Sequence, residues 1–483
     1  MIHQNIALTS EARSTALAQA LEALETEFAL RSEFPPEVLS EAQRAIADFE
    51  RPAIDRREIE LVTIDPATST DLDQAVHLAR SGDGYVVHYA IADVPGFVAL
   101  GGSLDAETRL RGQTVYLPHR RIALHPESIS EDAGSLLPNQ DRSAYLWAFT
   151  LDGSGAVTHT ALERAIVRSR EKLNYVGVQE SLDAGTASPM LQLLREVGLK
   201  RIELERARGG ASLRIPSQEV ECIEGTYRIV AEAPLPVEDW NAQISLMTGM
   251  EAARIMLQAK VGLLRTMPAP AEKDIRIFRL QAKALGTVWE PNQPYGEFLR
   301  SLDLADTRQL ALMHQATSLF RGATYTALDG EVPDETVQAA IAAPYAHTTA
   351  PLRRLVDRFA LLVCSYAVHG QEVPAGVREV LPQLPDLMND SNRIVNKVER
   401  AAIDTVEAAS LAHRVGERFS AVTLTGSEDS GNGNHRSGGT LQVKDPAVMA
   451  PFEGTAQAGM QVEVELVHAD MASRKVLFRV VGP

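Results

Sequence analysis

Apolar positions along the chain change their period several times, and each change marks a boundary. Leu17, Leu21, Leu24 and Phe28 recur at the spacing of one helix face, with Thr9 or Ser10 placed to cap it. Pro35 and Pro36 open a second predicted helix, whose stripe is Val38, Leu39, Ala42, Ile46 and Phe49. From residue 58 the pattern is mixed. Residues 60–64 read as a strand, and 75–79 and 85–91 flank a Ser-Gly-Asp-Gly turn, which predicts a hairpin. Helical spacing returns over 188–208, 240–263, 352–369 and 391–418. The last part turns β-rich, with short strands at 419–425, 439–443, 461–468 and 475–481 around a Gly-, Ser- and Asn-rich loop, 426–439. That size and spacing suit a small five-stranded barrel. The predicted class is α+β in three regions: a helical segment at 1–57, a large mixed domain at 58–412 and a barrel at 413–483.

Composition narrows the picture. The 483 residues are 45% apolar and 23% charged, which excludes a disordered chain or a small stapled scaffold. Lys and Arg number 47 against 64 Asp and Glu, a net −17, and on that total a polyanion ranks low as a partner. Residues 1–60 hold 6 basic and 12 acidic side chains. The two N-terminal helices have the length of a helix-turn-helix, but that charge argues against docking on phosphates. Cys222 and Cys364 fit no metal-ligand spacing, and two thiols in this length suit a reducing cytoplasm. The N-terminal residues lack the pattern of a signal peptide, and no window is apolar enough for a membrane span.

The most informative run is 63–75. A strand delivers Asp65 at its C-terminal end, Pro66 stops regular pairing, and a polar loop returns to Asp71-Leu72-Asp73. Alternation in an extended chain aims the last two carboxylates the same way. Three converging carboxylates with no Lys or Arg beside them repel, and a hard divalent cation is the usual resolution. Such a site suits phosphoryl chemistry. The alternative for each aspartate alone is a solvated turn former. An EF-hand is excluded, because Val76 and Gly82 stand where its Gly and Glu belong.

Further motifs follow in order: Val87-His88-Tyr89-Ala90-Ile91-Ala92-Asp93-Val94, Leu104-Asp105, Arg111-Gly112, Val115-Tyr116-Leu117-Pro118 and His125-Pro126-Glu127. Arg208-Gly209-Gly210-Ala211 comes next, then Tyr345-Ala346-His347-Thr348-Thr349-Ala350-Pro351-Leu352-Arg353-Arg354. With the run at 63–75, these resemble the ribonuclease II family of exoribonucleases over roughly 58–412. The barrel resembles the OB-fold RNA-binding module of that family. The resemblance implies metal-dependent hydrolysis of single-stranded RNA from the 3′ end to nucleoside 5′-monophosphates, in RNA degradation or processing; the expected setting is the cytoplasm and the expected state a monomer. It implies Asp65, Asp71 and Asp73 in a Mg²⁺ (or Mn²⁺) cluster, with Asp71 and Asp73 also catalytic, and Arg353 at the scissile phosphate. For RNA it implies Tyr116 stacking on the terminal base, Arg214 as that stack's partner, Tyr175 near the ribose and Gln243 near the 2′-hydroxyl. Arg111 and Arg354 complete the expected contacts. His88 and His347 are read as structural.

Three departures stand out. Gln74 occupies the place of a fourth aspartate, and an amide oxygen can reach a metal but brings no charge. Gln243 replaces an acidic residue. Only the acidic helical segment precedes the catalytic motif, where the family carries cold-shock-type barrels. These leave two alternatives open: a catalytically weakened RNA-binding or regulatory protein, and a phosphodiesterase for small nucleotides. Locally the charge permits RNA. Arg109, Arg111, Arg120 and Arg121 fall in a run without acids, residues 161–215 carry ten basic against seven acidic side chains, and Arg353, Arg354 and Arg358 face only Asp357. The expectation is an acidic exterior around a basic tunnel.

Overall fold

Strand Gln74–Ser81 turns at Gly82 into strand Gly84–Ala92, the expected hairpin, in a computed structural model. The structure describes residues 6–9, 15–224, 226–426, 429–430, 434–435, 438–443, 445–446 and 448–482. Strands Leu61–Asp65, Asp141–Leu151 and Val157–Asn174 join the hairpin in one sheet. The 18-residue strand Val157–Asn174 bends it closed. Its first part pairs antiparallel with Asp141–Leu151, and its last part pairs parallel with Leu61–Asp65. Ile54–Asp55 adds an edge.

Alternating side chains of this sheet meet helices Pro189–Arg208, Pro236–Ala259 and Leu355–Val368 in the largest hydrophobic core. Tyr85, Tyr89, Trp147 and Phe149 are fully buried there, each worth roughly 1.5–3 kcal/mol over exposure. The sheet is therefore a rigid frame for the loops at its ends. Close approach is built in at Gly249: a Cβ there would lie 2.1 Å from the Tyr345 ring and 2.6 Å from the Ala346 carbonyl. Among the described residues, no helix is long and apolar enough to cross a membrane.

The two N-terminal helices form as the pattern predicts, Ala16–Glu27 and Pro36–Ala47, but they pack on different cores. The first buries Leu17, Leu21 and Leu24 with the long helix Leu384–Leu411 and the barrel; the second buries Val38 and Ala42 beside Phe97, Val98 and Leu104. Leu39, placed in that stripe by its spacing, is 42% exposed. Thr15 stands at the first helix's N-terminal boundary, well after Thr9, and Ser10 lies outside the described residues.

A unit of three short helices was not evident from the pattern: Glu272–Ala284, Tyr295–Arg300 and Thr307–Gln315. Its core is aromatic, with Phe278, Trp289 and Phe298 in mutual contact. The C-terminal strands close a barrel in the order Arg418–Thr423, Gly439–Val443, Met449–Glu453, Lys475–Gly482, Gln461–Asp470. Of the loop predicted at 426–439, residues 427–428, 431–433 and 436–437 lie outside the described residues.

Candidate active site

Asp65 ends its strand directly opposite Asn174. Asn174 accepts the Gly177 N–H at 2.8 Å and caps helix Tyr175–Asp183, so the sheet delivers Tyr175 beside the acid. Asn241 of helix Pro236–Ala259 donates to the Tyr175 hydroxyl at 3.3 Å. Asp65 Oδ2 is buried with no hydrogen-bond partner. Burial pushes the carboxyl up to about 6, against the pull of Arg353.

The loop returns on an apolar plug. Leu72 is fully buried; its N–H donates to Ser135 Oγ at 2.9 Å and its carbonyl accepts from Leu136 at 3.0 Å. This fixes the acids on either side of it. Asp73 is buried, with Oδ1 accepting the Leu352 N–H at 2.7 Å and Oδ2 lying 3.4 Å from Arg353 Nε. Burial raises its pKa well above the usual range, opposed by Arg353 and the Leu352 N–H.

Arg353 rides on a segment pinned from several sides. The Ala350 N–H donates to Asp357 Oδ1 at 2.8 Å, and the Leu352 carbonyl meets His125 Nδ1 at 3.0 Å. Burial lowers the His125 pKa to about 3, so this contact uses a neutral ring. Thr114 N–H donates to the Arg353 carbonyl at 2.9 Å, and Leu355 N–H to that of Gly112 at 3.0 Å. Gly112 has φ +71°, and a Cβ there would meet Ser391 at 2.6 Å. The backbone is thus fixed while the Arg353 side chain stays half-exposed. Gln74 also serves this segment: its Nε2 donates to the Thr349 carbonyl. That amide was expected at a metal, and it instead replaces a carboxylate with a loop tie.

Asp71 is the third acid, and the sequence misleads about its surroundings. No Lys or Arg is near it along the chain, but the hairpin of Val115–Tyr116 and Arg121–Ile122 brings one in. Arg121 Nη1 lies 2.5 Å from Asp71 Oδ1, its Nη2 lies 2.6 Å from Glu131, and the Tyr116 hydroxyl lies 3.4 Å from Asp71 Oδ2. The Tyr116 ring is 51% exposed beside the cluster.

Asp65, Asp71, Asp73, Tyr116, Tyr175 and Arg353 therefore gather in one place, linked through Asp65, Asp71 and Arg353. Four other expected residues are engaged elsewhere. Arg111 is buried, donating to Glu107, Ala123 O and Glu33 O with its guanidinium 3.6 Å from the Phe34 ring centre; it ties the N-terminal segment down in place of the expected RNA contact. Arg354 makes a two-point pair with Asp357, both contacts at 2.9 Å. Arg214 pairs with Asp239 at 3.2 Å. Gln243 is buried and donates to Glu205 at 2.5 Å, leaving Oε1 without a partner. The expected basic run is neutralised as well: Arg109 pairs with Asp105 and Arg120 with Glu25. Some of these partners are local, Asp105, Glu107 and Asp357 lying within four positions of their arginines, and others are brought in by the fold, as Glu25 is to Arg120 and Asp239 to Arg214. His88 and His347 are structural: His88 lies mid-strand beside His77, and His347 is buried against Tyr325.

The donor chemistry fits a hard cation. Asp65 and Asp73 are hard oxygen donors held in a buried setting, Asp65 Oδ2 lacks a partner, and burial pushes both carboxyls up. Among the described residues, no group of three or more His, Cys, Asp or Glu side chains is disposed to hold a metal. That agrees with Asp71 being drawn toward Arg121. Signals missed from the sequence are Arg121, seen only as part of a basic run, and backbone groups of Thr349 and Leu352, which no side-chain pattern reveals.

Comparison with known proteins matches an RNB domain over residues 54–363 and an RNase II-type exonuclease C-terminal S1 domain over 417–481. Ribonuclease R of Chlamydia muridarum (strain MoPn / Nigg) is 26% identical over 405 residues, 80% of this chain and 57% of the relative. Ribonuclease R of Escherichia coli (strain K12) is 30% identical over 329 residues, 63% of this chain and 39% of the relative. The chain thus spans 57% and 39% of the length of these two relatives. The apo form of Mycoplasma genitalium RNase R superposes with a TM-score of 0.84 at 17% identity, covering 96% of this chain and 78% of that one. Yeast Ssd1, a pseudonuclease, superposes at 0.69 and 15% identity, covering 93% and 57%.

Proposed function

The chain belongs to the RNB-domain family, and on that premise we propose that it is a metal-dependent 3′-to-5′ exoribonuclease, hydrolysing single-stranded RNA to nucleoside 5′-monophosphates. The observation that carries this reading is the Asp73–Leu352–Arg353 arrangement. A buried carboxylate is held by the backbone of the same segment that presents a half-exposed guanidinium 3.4 Å away.

The half-exposed Arg353 guanidinium takes the oxygens of the terminal phosphodiester and stabilises charge as it develops there. Its rigid backbone keeps that position before substrate arrives. The exposed Tyr116 ring stacks on the terminal base, which any base satisfies. The Tyr175 hydroxyl, oriented by Asn241, meets the ribose. Asp65 and Asp73 are the residues to hold Mg²⁺ or Mn²⁺, which when bound supplies an activated water and offsets leaving-group charge. We assign the chain to the cytoplasm, a reading supported by its two free cysteines, and take it as a monomer.

One observation favours a second reading, an RNA-binding protein with weakened catalysis: the Gln74 amide faces the Thr349 carbonyl, so a charge is missing at the centre. A pseudonuclease shares the fold. A twenty-nucleotide RNA labelled at either end, with Mg²⁺ or Mn²⁺, separates the two. The nuclease reading expects the 5′ label to pass down a ladder to a short limit product and the 3′ label to appear at once as mononucleotide. Full-length RNA persisting with either metal supports the binding protein, and turnover of a dinucleotide without the twenty-mer supports a small-nucleotide phosphodiesterase.

A further inference from the structure

Asp71 differs from Asp65 in having both oxygens engaged, and from Asp73 in the closeness of its cation, since Arg353 stands 3.4 Å from Asp73. Arg121 lies 2.5 Å from Oδ1 and the Tyr116 hydroxyl 3.4 Å from Oδ2. The engagement is built. Arg121 pairs in register with Tyr116 across a two-strand hairpin, and the Leu117 N–H closes the turn on the Arg120 carbonyl at 2.8 Å. The far nitrogen of Arg121 is held by Glu131 at 2.6 Å and by Thr70, and Thr70 Oγ1 donates to Glu131 Oε2 at 2.6 Å. Guanidinium, two carboxylates and a hydroxyl thus form a connected set, with the Arg121 side chain only 24% exposed. Asp65, by contrast, has a buried Oδ2 with no partner.

We propose that Arg121 is a positioning residue that balances the charge of Asp71, so that the centre holds one divalent cation, at Asp65 and Asp73, rather than two. The inference rests on the nuclease reading for its metal, but concerns this chain's own arginine. Charge supports it. Asp65, Asp71, Asp73 and Glu131 face Arg121, Arg353 and Lys172, whose Nζ is bound 2.7 Å from the Ala67 carbonyl, which leaves one net negative charge. One divalent cation turns that to +1, the charge that a single phosphodiester offsets. A second would leave +3 in a partly buried centre, with Asp71 already taken. Because Arg121 shares its hairpin with Tyr116, it also sets the distance between the stacking ring and the acids.

Titration of the full chain with Mn²⁺, followed by calorimetry and by the loss of the free-ion EPR signal, tests this without turnover. Wild type is expected to bind one ion per chain. Arg121→Gln is expected to take up a second, or to bind the first at least about tenfold more tightly, the size of one nearby charge. Arg121→Lys is expected to stay at one. Glu131→Gln, which leaves Arg121 on Asp71, is also expected to stay at one and serves if the Gln variant melts early. Two ions on wild type, or unchanged stoichiometry and affinity in a folded Arg121→Gln, overturns the proposal. If wild type binds two ions and still cuts RNA, only this inference fails. If it binds none and leaves RNA intact, the nuclease reading fails with it.

Discussion

The backbone N–H of Leu352 donates to Asp73 Oδ1 at 2.7 Å, across 279 positions of sequence. The bond fixes the carboxylate and the segment bearing Arg353 as one unit. An asparagine at 73 can accept the same N–H through its amide oxygen, so the loop geometry survives while the charge is lost. Asp73→Asn is therefore expected to cut single-turnover cleavage by on the order of 10³-fold while RNA affinity stays within about threefold of wild type. Rapid-quench kinetics and filter binding measure the two. Cleavage at the wild-type rate would remove Asp73 from the centre.

Arg353 offers a planar fork on a fixed backbone, with its side chain about half exposed. A lysine keeps the charge but not the two-point geometry. Arg353→Lys is expected to lose roughly 10–100-fold in kcat with KM little changed, and Arg353→Ala a further tenfold or so. Equal kcat in the Lys and wild-type enzymes would show that a point charge suffices and that the clamp is not used.

Behind the site, Asp105 and Arg358 form a pair in which both side chains are 1% exposed, and Asp105 also holds Arg109 at 2.6 Å. Removing one partner leaves an unpaired buried charge, a loss of about 3–5 kcal/mol. Asp105→Asn is expected to approach the lower end, because the amide still accepts a hydrogen bond. Denaturant unfolding followed by tryptophan fluorescence reads it. A loss under about 1 kcal/mol would mean that water relieves Arg358.

These contacts mark the limit of what the chain discloses before it folds. The hairpin at 74–92, the helix stripe of Leu17, Leu21 and Leu24 and the terminal barrel follow from local periodicity, which is why their positions were legible. Asp65, Asp71 and Asp73 stood out because a strand end and a two-residue alternation place them together. Arg121 and Gln74 did not. Their partners Asp71 and Thr349 lie 50 and 275 positions away, and a side chain's partner is decided by tertiary packing. Arg111 misled differently: Glu107 lies four positions before it on the same helix, but a basic run near a motif reads as a phosphate contact until that pair and the Phe34 ring are seen beside it. The motifs at Asp93 and Asp105 mark structural pairs, Asp93 with Ser143 and Arg164 and Asp105 with Arg358.

The raised carboxyl of Asp65 makes stability depend on pH and metal together. Its folded pKa is about 6, above the ordinary 3.8, with burial as the leading cause. The folded chain then holds the proton more tightly than the unfolded chain. The resulting stabilisation is fully present below about pH 4 and is lost as pH rises through 6. It is on the order of 1–3 kcal/mol, since one pKa unit is about 1.4 kcal/mol. A divalent cation at Asp65 and Asp73 acts in the opposite direction, because it needs the ionised acids and so stabilises most above pH 6. Melting in EDTA and in Mn²⁺ at pH 4.5, 6 and 7.5 is expected to show a metal increment that grows with pH. Asp65→Asn carries neither proton nor charge at that position. Its metal-free melting temperature is expected to fall less between pH 4.5 and 7.5, and its Mn²⁺ increment at pH 7.5 to shrink by at least half. An increment in the variant equal to that of wild type would place the cation away from Asp65.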